Sequence, residues 1–589
     1  MKNIFFKHFS LRGQFKVEKA VKSFSIGERL VFFTFTIIMV ITAFSILLGV
    51  SNYFTVTKPI KGGTFSEGVI GSPRFINPVL AISDADRDLS TLLFSGLMRA
   101  ATDGYLSPEI ASHYEISPDG LVYTFHIRDD AFFHDGEPIT ADDVLFTIEK
   151  TKDPSIKSPR RAEWEGVKAT KIDDKTVEFT LSRPYYPFIE NTTIGIIPKH
   201  IWNEVSSEEF PFSLQNITPI GSGPFVIKDI KRNKAGVPTS YNLNSFDDYL
   251  NFPAHLNEIK ILFYKNEADL IQAWLNNEID SFGGTSPESA KEILEDKDIS
   301  TLNFNLPRIF GVFFNQNQNS IFSDENIRVA LEFGTNKQQI LNTVLDGYGK
   351  ILTGPLPTDV AETELDINFD LEKAKQLIEK SGWKLEDGDE FYSKTIKTKS
   401  GTEKTVLGFS LSAPNVPELK SVAQTLEENW KVIGVKVEVK LFELGDLNQN
   451  VIRPRNYDAL LFGEVIGRNP DLTAFWHSSE RTDPGYNIAI YTNTKVDRIL
   501  EQLRIETDPE IRADLLSSLS SKIDADTPAI FLYSPDYLYL PPSNIKGLKA
   551  GFIASPSERF SEIKDWYIET EKIWPIFEKL NPWRKVEIF

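Results

Sequence analysis

The sequence predicts a mixed α/β body of more than one domain, held outside a membrane behind a single spanning helix. Three observations predict it. Residues 31–50 read VFFTFTIIMVITAFSILLGV, without a charge. The remainder alternates short strand-like and helix-like patterns, with no repeat and no low-complexity stretch. At 589 residues, the chain exceeds what one hydrophobic core usually serves, which suggests two or three domains.

The apolar run comes first in the chain. At about 1.5 Å rise per residue, a helix of that length covers roughly 30 Å, the thickness of a bilayer's hydrocarbon. A buried core helix normally keeps a polar face over such a length. Residues 1–30 carry seven Lys/Arg against Glu18 and Glu28, whereas only Lys58 and Lys61 follow the run closely. The positive-inside rule then makes 1–30 a basic cytoplasmic segment and 31–54 a transmembrane anchor, with the main body extracytoplasmic, at the cell surface or in a periplasm. A cleaved signal peptide is the alternative. The long basic region and the poor cleavage sequence Gly49-Val50-Ser51 favour an uncleaved anchor. No second span is evident, so the chain is not itself a permease.

Net charge is −19, and beyond residue 30 the balance is 57 basic against 81 acidic side chains. Such a body repels phosphate backbones, which excludes nucleic acid as a partner. With no cysteine there is no disulfide, no thiolate nucleophile, no Cys-ligated metal and no cysteine to carry a lipid.

Within the body, Ser117-Pro-Asp-Gly120 is a turn signal ahead of 121–128 (LVYTFHIR), a strand with Leu121, Tyr123, Phe125 and Ile127 on one face. Phe133-His-Asp-Gly136 is a second turn. Thr140 then caps a helix with Asp142 and Asp143 in its first turn and Val144, Leu145 and Ile148 as its buried stripe. Residues 176–181 (TVEFTL) alternate as another strand. Further on, 326–345 reads as one helix ending near Gly347, and 370–380 as a helix ending at Gly382. Leu419, Val422, Ala423, Leu426, Trp430 and Ile433 recur at helical spacing, Gly434 terminates that helix, and 435–441 (VKVEVKL) follows as a strand.

Catalytic patterns are missing. The seven histidines form no HExxH and no i, i+4 pair. His126 and His134 are placed to meet across a turn with Asp135, where a structural His–Asp hydrogen bond is expected and not a metal. There is no GxSxG elbow and no GxxxxGK[ST] loop, and Gly221-Ser-Gly-Pro224 reads as a tight turn. No carboxylate pair is assigned to hydrolysis. No catalytic residue, metal or cofactor is therefore expected, and the chain is read as a binder and not an enzyme.

A set of motifs in fixed order carries a family resemblance. They are Phe75-Ile-Asn-Pro78, Leu93-Phe-Ser-Gly-Leu97, 111–128 (ASHYEISPDGLVYTFHIR) leading into 133–144 (FHDGEPITADDV), and Gly221-Ser-Gly-Pro-Phe225. In the second half come Asn326-Ile-Arg-Val-Ala-Leu331, Gly354-Pro-Leu-Pro357, Gly382-Trp383, Ile433-Gly-Val435, Tyr457-Asp458 and Asp526-Thr-Pro-Ala-Ile-Phe-Leu-Tyr533. Together, over roughly 60–570, they resemble the peptide/nickel group of extracellular solute-binding proteins, the dipeptide- and oligopeptide-binding subunits of ABC importers.

The resemblance implies a two-lobed periplasmic-binding-protein-like fold with a hinge. Lobe I would comprise 60–82, 190–305 and 536–575, a small α/β domain at 83–189 would insert into it, lobe II would be 306–535, and 576–589 would be a tail. It implies capture of a short peptide between the lobes and delivery to ABC permease subunits with cytoplasmic ATPases, by a monomer. A nickel chelate, an oligosaccharide, or a cell-wall or signalling peptide is the alternative ligand. The loop 81–86, with Ser83 and Asp84, aligns with one ligand loop of the family. The loop 463–468, with Glu464, Val465, Ile466 and Gly467, aligns with the other. Where many peptide binders place an Asp for the peptide's amino group, this chain has Gly467. Glu464 or Asp471 is then the candidate replacement, or the ligand lacks a free amine. Trp476, Tyr486, Asn487 and Tyr533 are further pocket candidates. Phe133, Asp135 and Gly136 are read as fold-determining turn residues.

Overall fold

The computed structural model describes residues 22–250, 252–296, 301–357, 369–398 and 401–573, so 1–21 of the basic segment and the tail 576–589 lie outside the described residues. It divides into two compact units, 1–60 with 569–589, and 61–568.

In the first unit the helix Ile26–Phe54 runs for 29 residues, about 40 Å at the usual rise. Its side chains stay largely exposed to Leu47, and over Ile26–Leu47 it is long and apolar enough to cross a membrane. Its hydroxyls suit lipid: Thr34 and Thr36 donate to the carbonyls of Leu30 and Phe32, both at 2.8 Å. Beyond the helix, Val56–Pro59 pairs antiparallel with Thr570–Ile573.

The second unit is built on one twelve-stranded mixed sheet. Its main path runs Lys436–Phe442, Gly408–Pro414, Ala459–Val465, Arg308–Phe314, Ala529–Leu540, Ser281–Gly283, Thr64–Ile70, Glu258–Tyr264, Pro238–Ser245 and Phe225–Arg232. The long strand Ala529–Leu540 belongs to both halves. Its first residues pair with Arg308–Phe314 and its last with Leu302–Asn305 and Ser281–Gly283. Where the partner changes, the Ser534 hydroxyl donates to Leu306 O at 2.9 Å. Separate cores flank this point. Val312, Trp430, Trp476 and Phe531 lie in the two on one side, and Phe65, Tyr241, Tyr539 and Trp566 in the core on the other.

A second, antiparallel sheet runs Ala111–Ile116, Val122–Ile127, Thr176–Leu181, Val167–Asp173. Alternation buries Tyr123, Phe125 and Ile127 in the same core as Val144 and Ile148 of the helix Ala141–Lys152. The predicted cap forms: Asp143 Oδ2 accepts from Thr140 N–H at 3.0 Å and from its hydroxyl at 2.8 Å. In the turn before it Phe133 is fully buried and Gly136 sits at φ +89°.

Two expectations need correction. Residues 326–345 form two helices, Glu325–Phe333 and Lys337–Val344. Asn336 caps the second by accepting from Gln339 N–H at 2.9 Å, and Trp430 Nε1 donates to Leu331 O, at 3.1 Å, near the end of the first. A capping side chain and a tertiary indole thus use the groups that a continuous helix would pair. His126 and His134 also do not meet: His134 Nε2 lies 3.1 Å from Gly223 O, His126 stacks on His113, and Asp135 bonds His200 at 2.7 Å.

Candidate ligand crevice

The loop at 81–86 is shaped by its own cap. Ser83 accepts from Asp86 N–H at 3.1 Å, and Asp86 Oδ2 accepts from Ser83 N–H at 3.2 Å, starting the helix Asp84–Leu93. The other Asp86 oxygen accepts from the N–H groups of Arg74 and Phe75 at 2.7 and 2.8 Å, which fixes the 75–78 motif against the helix. Ser83 and Asp84 remain exposed at the tip. The helix ends at Leu93, whose carbonyl accepts from Ser222 and Gly223 N–H at 2.9 and 2.8 Å. A Cβ on Gly221 would stand 1.9 Å from that oxygen, so the 221–224 motif is a close backbone crossing.

The loop at 463–468 continues the strand Ala459–Val465, and Ile466 N–H extends its pairing to Pro307 O at 3.0 Å. At Gly467 the backbone turns to φ +72° and releases Arg468 and Asn469 toward the other half of the sheet. Arg468 donates to Ala101 O at 3.0 Å, pairs with Glu558 at 2.6 Å, and lies 5.0 Å over the Phe552 ring. Asn469 N–H donates to Glu190. Burial, the largest influence, pushes the Glu190 carboxyl up to about 7, against the hydrogen bond from Asn469.

Beside these contacts lies a crevice of two adjoining spaces, about 470 Å³ and 260 Å³, which share Arg160, Glu163, Thr193 and Glu558. Ala81, Arg87 and Thr91 line the larger space, and Glu190 and Arg468 line the smaller. The charged lining is balanced: Arg87, Arg99, Arg160 and Arg468 against Glu109, Glu163, Glu190 and Glu558. Most are already paired, Arg160 with Glu163 at 2.8 Å and Arg99 with Glu109 at 4.0 Å. Glu109 also accepts from Tyr249 OH at 2.5 Å, and burial raises its pKa. No histidine lines the crevice, and its four arginines face four glutamates, of which burial raises Glu109 and Glu190 toward the neutral acid.

The structure brings the ends of the two expected loops to this crevice. Those ends are Ala81 and Arg468, and none of the individual candidates, Ser83, Asp84 and Gly467 included, is among the lining residues. Glu464 is 4% exposed, and neither carboxylate oxygen has a hydrogen-bond partner; burial alone raises its pKa well above the usual range. Val465 is exposed, and Ile466 packs into the core with Leu472 and Trp476. Trp476 is 1% exposed against Phe313, Tyr491 and Phe531. Asn487 is fully buried, donating to His477 O and Tyr491 O and accepting from Tyr491 N–H. Tyr533 is buried on Phe310 and donates to Glu418 at 2.7 Å. Tyr486 is 64% exposed. Asp471 accepts from Thr473 N–H at 3.1 Å and faces Arg504 at 3.5 Å. The sequence reading missed Arg87, Arg160, Glu190 and Glu558 as crevice residues. Of the charged lining residues, Arg468 alone lies inside a motif named above, beside the uncharged Pro78, Ala81, Phe94, Gly96 and Pro224.

The family model for bacterial extracellular solute-binding proteins, family 5 (Middle), matches residues 106–486. The chain belongs to this family. It is 27% identical over 528 residues to the oligopeptide-binding protein AppA of Bacillus subtilis (strain 168), covering 87% of this chain and 92% of that protein. The solved structure of B. subtilis AppA in complex with a nonapeptide superposes with a TM-score of 0.65 at 25% identity, covering 87% of this chain and all of that one. The ABC transporter substrate-binding protein CtaP from Listeria monocytogenes gives a TM-score of 0.72 at 25% identity, covering 86% and 99%. The fold is thus the two-lobed one of the binding proteins, and the chain is a solute-binding protein of the transport class.

Proposed function

We propose that this protein captures short peptides between its lobes and delivers them to an ABC-type permease with cytoplasmic ATPases. The observation that carries the reading is the charge-balanced crevice. A peptide with free ends is a zwitterion. Its carboxylate can take a guanidinium, and its amine a carboxylate, by exchange with ion pairs already in place, so no charge is left buried alone. The AppA relative, solved with a nonapeptide, points the same way. In this reading the lobes are 60–82 with 190–305 and 536–575, and 306–535, with 83–189 inserted. The loops at 81–86 and 463–468, whose Ala81 and Arg468 line the crevice, close on the peptide main chain. The carboxylate that Gly467 cannot offer comes from the crevice itself, where Glu163 and Glu558 line both spaces. The body works as an uncleaved, membrane-tethered monomer, which keeps it near its permease at high local concentration.

The test is a thermal shift with the full chain in detergent, using peptide pools with free ends and the same pools acetylated and amidated. Free-ended peptides are expected to raise the melting temperature as their concentration rises, capped ones to do so less, and both to be recovered uncut. No shift with either pool overturns the peptide assignment.

A further inference from the structure

We propose that the outer face of the 111–181 sheet holds a divalent transition-metal ion of the zinc class on His113, His126 and Glu115. The proposal does not rest on the peptide reading, since none of the three lines the crevice.

The strand register makes the cluster. His113 of Ala111–Ile116 stands directly opposite His126 of Val122–Ile127, and Glu115 is two residues along from His113 on the same face. The imidazoles stack with centroids 4.3 Å apart and planes 9° from parallel. A ring nitrogen of each histidine and a carboxylate oxygen of Glu115 all lie within 4.8 Å of one another, with both residues of the Ala111–Ile116 strand exposed and His126 partly so.

Hydrogen bonding prepares the rings for a cation. The Ser112 hydroxyl donates its one proton to His126 O at 3.0 Å, so toward His113 Nδ1, also at 3.0 Å, it acts as acceptor. That role favours the His113 tautomer with its proton on Nδ1, which leaves the Nε2 lone pair for a metal. Thr176 Oγ1 lies 3.4 Å from His126 Nδ1 and is placed to do the same for that ring. A hydroxyl behind each ligating imidazole is the outer support that metal histidines use.

Zinc binds imidazole nitrogen at about 2.0–2.1 Å and carboxylate oxygen at about 2.0–2.2 Å, which brings tetrahedral ligand atoms to roughly 3.3 Å apart. Reaching that spacing takes side-chain rotations that open the imidazole stack, made by the exposed His113 and Glu115 about the half-buried His126. Water completes the fourth position. Two imidazoles with a hard carboxylate suit zinc and its neighbours over calcium, magnesium or copper(I). The pattern is invisible along the chain, because the two histidines are separated by a hairpin and meet only across strands.

The experiment is a zinc titration of the full chain in detergent, with any histidine tag removed, against a chromophoric zinc indicator. Variants His113→Ala/His126→Ala, Glu115→Gln and Ser112→Ala are run in parallel, each checked for an unchanged melt without metal. The native chain is expected to bind one more zinc than the double-histidine variant and to melt higher with zinc, a rise that variant lacks. Ser112→Ala and Glu115→Gln should each weaken that zinc by roughly tenfold or more. Equal stoichiometry and affinity in the native chain and the double variant, or no zinc taken up by the native chain at about 100 µM free metal, overturns the proposal.

Discussion

Glu190 is the residue at which acidity and lobe contact meet. With its pKa pushed up to about 7, the folded protein holds a proton there that an unfolded Glu, near 4.5, has already lost. A raised acid opposes folding most above about pH 7 and not at all below about 4.5, so its contribution to stability improves as pH falls between those values. Glu190→Gln should remove this slope, a difference of about 1–3 kcal/mol between pH 8 and pH 5 once partial exposure is allowed for. Parallel melts at the two pH values check it, and identical pH dependence in the native and variant chains contradicts it. Gly221 makes a second residue-scale prediction. Gly221→Ala would drive a Cβ to 1.9 Å from Leu93 O, an oxygen held by two N–H groups. Denaturant unfolding is expected to show a loss of about 2–3 kcal/mol, and an unchanged midpoint would mean the crossing is looser than described.

At the scale of elements, Arg559 binds three segments together. It pairs with Glu67 at 3.0 Å and Asp88 at 2.7 Å, all three fully buried, so the 556–560 turn is fixed to the strand Thr64–Ile70 and the helix Asp84–Leu93. Arg559→Met leaves two carboxylates buried without their cation and should cost about 3–5 kcal/mol, measured by unfolding. A near-neutral result would show that water reaches them. None of this was legible in the sequence, where residues 67, 88 and 559 share no motif. What was legible is local. Alternation over 121–128 marks the strand, Thr140 marks the start of its helix, and Gly434 at φ +75° ends the helix Pro417–Val432 as its position promises. The 326–345 helix was misread because its break depends on Asn336 and Trp430, the latter contributed from about a hundred residues away. The crevice was half legible: both loops fell in motifs, but Glu190 and Glu558 reach it only through tertiary packing, and Trp476 and Asn487, aromatic or polar in a loop, were turned inward to the core.

At the scale of the whole molecule, the strand Ala529–Leu540 runs through both halves of the sheet, and Arg468 links a loop of one half to Ala101 and Glu558 by side chain. Closure of such a fold is a shift between two arrangements, favoured by whatever contacts both. Arg468→Ala removes the bridge to Ala101 and Glu558, so the ligand-free chain should show a larger radius of gyration by small-angle scattering than the native one. Unchanged scattering would mean that the remaining contacts, Asn469 N–H to Glu190 among them, hold the halves without Arg468. The central claim, peptide capture, is tested most directly by native mass spectrometry of the purified full chain, with bound mass released by activation and sequenced. The account predicts released masses that resolve into short peptides, lost when the two guanidinium groups of Arg87 and Arg160 and the carboxylate of Glu163 are replaced together. A protein that carries no peptide and takes up none from a supplied pool, while remaining folded, would contradict it.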